Sequence, residues 1–169
     1  MLYYRAREGT RELHVLIVES DPVELKRAGM RLLAAGCVVS TCRKAQGFFE
    51  TIDRLAPDLV LLDPLTPGMD LVVLLSRSRD ESQPPIILHS KVLEWVLRGV
   101  LNLRSFAGLI RKTSDDDAFQ EAFWAIADAV QARKAATAPA ALTPATSGTH
   151  RIGEARVLPI KPRRVGRVS

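Results

Sequence analysis

Short, continuous apolar runs alternate with longer amphipathic stretches along most of this chain. Residues 13–18, LHVLIV, are rich in β-branched side chains and predict a first strand. ESDP follows, and Pro22 near a first helical position opens a helix. Leu25, Gly29, Leu32 and Leu33 recur at helical spacing as its inner face, and Gly36 stops it. CVVSTC at 37–42 predicts a second strand. Ala45, Phe48, Phe49, Ile52 and Leu55 trace one face of a second helix, which Pro57 ends. LVLL at 59–62 is a third strand, apolar throughout, and residues 70–79 predict a third helix. PPIILHS at 84–90 supplies a fourth strand, KVLEWVLRGVLNL at 91–103 a fourth helix and AGLIRK at 107–112 a fifth strand. Ser114 is the expected N-cap of a last helix, with Asp115, Asp116 and Asp117 in its first turn, where the helix dipole favours acids. Phe119, Ala122, Phe123, Ile126, Ala127 and Val130 form its inner stripe.

The order is βαβαβαβαβα. Strands that are apolar on both faces, alternating with helices, imply an α/β fold: a doubly wound, five-stranded parallel sheet covered on both sides. We expect an N-terminal extension at 1–12, one domain at 13–134 and an Ala/Thr/Pro linker with a disordered basic tail at 135–169. In such sheets ligands bind outside the carboxyl ends of the strands.

Charge sharpens that division. Residues 1–150 hold 18 basic and 18 acidic side chains, whereas residues 151–169 hold six and one, so the whole excess of +5 lies in the tail. A flexible polycation binds nucleic acid non-specifically, but the tail has no helical period and no aromatics, so nucleic acid is not favoured as the partner. No apolar run is long enough for a membrane span, and the charged start lacks the apolar stretch of a secretory signal, so a cytoplasmic protein is expected. Cys37 and Cys42, five residues apart, would lie roughly 16 Å apart on opposite faces of one strand and are read as free thiols. His14, His89 and His150 show no metal-ligand spacing.

The strand ends carry the candidate chemistry. Glu19, Ser20 and Asp21 end the first strand, Asp63 the third, His89 and Ser90 the fourth, and Arg111 and Lys112 the fifth. A parallel sheet gathers these ends on one edge. Two carboxylates about 4 Å apart repel by roughly 4 kcal/mol at an effective dielectric of about 20, so Glu19, Asp21 and Asp63 together need a cation. Lys112 offers one charge, and Mg²⁺ would offer two. With a Ser90 hydroxyl added, the set suits a phosphoryl group seated on Asp63. A hydrolase built on His89, Ser90 and Asp63 is excluded, because adjacent strand residues face opposite ways.

VLIVESDP, PDLVLLDPLTPGMD, PPIILHS and AGLIRKTS resemble the landmarks of receiver domains from bacterial two-component response regulators. The resemblance covers about residues 13–134 and implies a flavodoxin-like fold. It implies Asp63 as phosphoacceptor for a histidine kinase or phosphotransfer protein, with Pro67 four residues on. It further implies Ser90 and Lys112 on the phosphoryl oxygens, and Mg²⁺ held by Glu19, Asp21, Asp63 and the backbone carbonyl of Leu65. The family often dimerises through its fourth helix, fifth strand and fifth helix, and part of the apolar run at 92–103 is a candidate for such a surface. Four departures stand out. Ser20 replaces the second acid, Lys91 replaces a small residue after Ser90, Leu109 replaces the switch aromatic, and Leu71 stands where a glycine usually lies. The expected function is a stand-alone receiver domain with output through protein contacts. The alternatives are a phosphate-independent pseudo-receiver binding module, or a remnant of a DNA-binding regulator that uses its basic tail.

Overall fold

A computed structural model describes residues 12–92 and 94–137. The expected basic tail, and the expected N-terminal extension apart from Glu12, lie outside the described residues. The strands are β1 (His14–Val18), β2 (Val38–Cys42), β3 (Leu59–Leu62), β4 (Ile86–Ser90) and β5 (Gly108–Arg111). The helices between and after them are α1 (Pro22–Ala34), α2 (Phe48–Leu55), α3 (Leu71–Arg77), α4 (Glu94–Val100) and α5 (Asp116–Thr137).

All four strand pairings are parallel, in the order β2-β1-β3-β4-β5. β1 and β3 lie inside the sheet, which explains why both are apolar on both faces. Strand alternation sorts their side chains into two cores. Val15, Ile17, Leu59 and Leu61 pack with Phe119 and Phe123 of α5 and Leu32 of α1. Leu16, Val18, Val60 and Leu62 pack with Phe48 and Ile52 of α2, Leu74 of α3 and Leu97 of α4. Cys37 joins the first core and Cys42 the second, and both are free thiols. Burial pushes the Cys37 thiol up to about 11.

Several expectations are corrected at helix faces and ends. Leu33 is 60% exposed rather than inward-facing. It stands about 100° around α1 from buried Leu32, and the next inward position is taken by Arg31. Arg31 Nε donates to Asp116 Oδ1 at 2.7 Å, and its guanidinium lies over the Phe119 ring. The cap of α5 is Asp115, not Ser114: its Oδ1 accepts from the Ala118 N–H at 3.0 Å. α5 then runs to Thr137, three residues past the expected boundary. α4 is shorter than the predicted helix at 91–103; a 3₁₀ turn at Leu103–Ser105 follows it, with Asn102 accepting from the Arg104 N–H. Within the apolar run at 92–103, Leu97 and Leu101 are buried and Val96 is exposed.

Candidate functional site

Backbone bonds at the carboxyl edge of the sheet position the site. The Glu19 N–H donates to the Cys42 carbonyl, the Asp63 N–H to the Val18 carbonyl and the Lys112 N–H to the Ser90 carbonyl, each at 2.9–3.0 Å. These are ladder-type bonds continued one residue past the strands, so Glu19, Asp63, Ser90 and Lys112 all sit on one rim. After Asp63 the chain turns: the Thr66 N–H donates to the Asp63 carbonyl, and Gly68 takes the left-handed backbone, φ 83°, that a side chain would strain.

Lys112 lies at the centre. Its ammonium donates to Glu19 Oε2 at 2.5 Å and to Asp63 Oδ2 at 2.6 Å. The Lys112 and Glu19 side chains are only 4% and 3% exposed and Asp63 is 13% exposed, so the three charges sit in a largely dry pocket open at the aspartate. Burial works to lower the Lys112 pKa, but the hydrogen bonds and charges of Asp63 and Glu19 outweigh it, and the pKa is raised. The second oxygen of each acid is also engaged. Asp63 Oδ1 accepts from the Leu65 N–H, and Glu19 Oε1 accepts from the Asp21 N–H, both at 2.9 Å. Ser90 is buried, and its Oγ accepts from the Val92 N–H at 3.1 Å, which keeps its own proton free to donate.

Asp21 is used differently from the expected metal ligand. Its Oδ1 caps α1, accepting from the N–H groups of Val23 (2.8 Å) and Glu24 (3.4 Å). The Val23 bond is the main cause holding its carboxyl below the usual range; Glu24 and the charges of Lys91 and Lys112 add to it against burial. Ser20, at the second-acid position, accepts from Arg43 through its backbone carbonyl. Leu71 opens α3 behind the Asp70 cap. Leu109 packs partly buried on the core under α4. His89 meets Phe119 edge-on at 5.5 Å, away from any role as a base for Ser90. Burial, with the Lys112 charge, lowers its pKa to about 4.

Sequence reasoning missed the ion pairs of Lys91. Lys91 Nζ lies 3.0 Å from Glu24 Oε1 and 3.9 Å from Asp21 Oδ2. Glu24 is buried and also meets Arg27, at 3.2 Å. The usable signal was Glu24 itself, an acid three residues after Asp21 on a helix whose inner face also holds Ala28, Gly29 and Leu32.

The donor set does not fit a tightly held divalent ion. Ser20 supplies no charge, Asp21 is spent on the helix cap, and both oxygens of Glu19 and Asp63 have partners. Among the described residues, no group of three or more His, Cys, Asp or Glu side chains is placed to hold a metal.

The five-stranded parallel sheet has the strand order of the receiver fold, and a lysine bridges the acids that directly follow its first and third strands. No family model matches the chain. The chain is similar to the signal receiver domain of an HD domain-containing protein from Pseudomonas fluorescens Pf-5, with a TM-score of 0.65, 21% identity and coverage of 78% of this chain and 98% of that one. It is likewise similar to the chemotaxis response regulator CheY4 of Vibrio cholerae, with a TM-score of 0.60, 16% identity and coverage of 69% and 99%. In sequence it is 37% identical over 79 residues to the transcriptional regulatory protein CseB of Streptomyces avermitilis, covering 47% of this chain and 34% of that protein. It is 36% identical over 76 residues to the transcriptional activator protein PfeR of Pseudomonas aeruginosa, covering 45% and 25%. The matched segment thus spans about a third of CseB and a quarter of PfeR. The chain has the fold of receiver domains, and its partial sequence matches are to transcriptional regulatory proteins.

Proposed function

We propose that Asp63 accepts a phosphoryl group from a histidine kinase or phosphotransfer protein and that the domain signals by changed protein contacts. The observation that carries this reading is the Lys112 ammonium bridging Asp63 and Glu19 at the strand ends. A carboxylate oxygen of Asp63 forms the bond to phosphorus as the donor's P–N bond breaks, and the departing nitrogen takes up a proton. Lys112 already neutralises the oxygen that would become part of an acyl phosphate. Ser90 has a hydroxyl proton to give to a phosphoryl oxygen, and the Leu65 N–H holds the carboxylate in place.

Mg²⁺ is general to receiver domains, and here Glu19, Asp63 and the Leu65 carbonyl are the groups that would meet it, with Asp21 only if its cap opened. The engaged oxygens argue for weak binding at most, so no step above runs through the ion. Among the described residues no helix is long and apolar enough to cross a membrane. Exposed Val96 on α4 supports a contact face near α4, β5 and α5, where a homodimer would form.

Incubation with acetyl phosphate tests the proposal. The expected result is one added phosphoryl mass on the wild type and none on Asp63→Asn. An equal gain on the variant overturns the assignment. A second reading, a pseudo-receiver that binds partners without phosphate, is favoured by Ser20 and by the Lys91 bridge to Glu24. It predicts no mass gain and a partner contact unaltered by Asp63→Asn.

A further inference from the structure

Four carboxylates crowd the first turn of α1 and the end of β3, and the chain supplies its own cations to all of them. Glu19 and Asp63 share Lys112. Asp21 and Glu24 share Lys91, which enters from the residue after Ser90. The two groups are joined by the Asp21 N–H bond to Glu19. Ser20, between Glu19 and Asp21, brings no charge. The two ammoniums already occupy the acids that a divalent cation would need, and each can turn a donor to a phosphoryl group seated on Asp63.

We infer that Lys91 makes this an anion pocket that works without a divalent ion, its ammonium and that of Lys112 together taking the oxygens of a phosphoryl group on Asp63. The inference rests on the phosphoacceptor reading of the same pocket. Lys91 is suited to the part. Its side chain is 63% exposed, so it is free to swing. Its departure does not strand buried Glu24, because Arg27 stays on that carboxylate at 3.2 Å. Asp21 likewise keeps its helix-cap bonds. Lys91 thus exchanges one carboxylate for a more highly charged anion, while the acids it leaves remain compensated.

Beryllofluoride, which mimics a phosphoryl group on a carboxylate, tests this by amide NMR on protein stripped of divalent metal. The wild type is expected to give saturable shifts at Asp63, Thr66 and Ser90 without Mg²⁺, and added Mg²⁺ is expected to change the apparent affinity by less than about twofold. Lys91→Ala is expected to weaken metal-free binding about tenfold, the scale of one charge-assisted hydrogen bond, with Lys91→Arg restoring it. Binding by the wild type only when Mg²⁺ is present overturns the inference alone, as does Lys91→Ala binding metal-free as tightly as wild type. No binding with or without Mg²⁺ overturns the acceptor reading and this inference together. The exposed position of Lys91 makes loss of folding in these variants easy to separate, since amides far from the pocket report it.

Discussion

Lys112 Nζ lies 2.6 Å from Asp63 Oδ2, a contact between residues 49 apart in sequence that closes the carboxyl edge of the sheet. The same ammonium holds Glu19, 93 residues away. One buried cation therefore ties β1, β3 and β5 together at the point where the chemistry is assigned.

Removing that cation strands two facing carboxylates. Lys112→Met is expected to cost about 3 kcal/mol in denaturant unfolding, the range for breaking a buried charge group. Adding Asp63→Asn to Lys112→Met is expected to recover part of the loss, because one stranded charge disappears. The Lys112 pKa is raised by folding, so its contribution is fully present below about pH 10.5 and is lost only as pH rises through the higher folded value.

His89 gives a stability slope on the acid side. Its pKa falls from 6.5 to about 4 on folding, chiefly through burial. The unfolded chain then binds a proton below about pH 6.5 that the native protein takes up only near pH 4. Stability is expected to drop across that window by up to about 3 kcal/mol. His89→Phe, whose ring keeps the contact with Phe119, is expected to flatten the slope in urea titrations run at pH 6.5 and pH 4.5. An unchanged slope would remove His89 as its source.

β5 packs closely under α5 because residue 108 lacks a side chain. A Cβ there would come within 2.5 Å of Ile126 Cδ1 and 2.9 Å of its Cγ1. Gly108→Ala is expected to cost about 1–2 kcal/mol, and Gly108→Ala with Ile126→Ala less than the two single changes summed. Additive losses would place the strain elsewhere.

Much of the fold could be read from the chain because its inner strands are continuous apolar runs between turn residues. Leu59–Leu62 is an unbroken strand in sequence and in structure. Legibility failed where a charged residue took an inward position. Buried Glu24 and Arg31 interrupt the apolar period of α1, and their partners Lys91 and Asp116 come from distant segments. Leu33 fits the apolar spacing of α1 yet faces solvent, and Arg31 takes a buried position in its place. The rim residues were legible from strand ends. The use of Asp21 as a helix cap rather than a pocket ligand depended on the local turn, and only its bonds to Val23 and Glu24 settled it.

The account turns on residue 63 carrying the phosphoryl group. Borohydride reduction after phosphodonor treatment converts an acyl phosphate on aspartate to homoserine, and tandem mass spectrometry then reads the modified position. The expected result is homoserine at position 63 alone. Homoserine elsewhere, or an unmodified Asp63 in protein that has gained phosphoryl mass, would contradict the account.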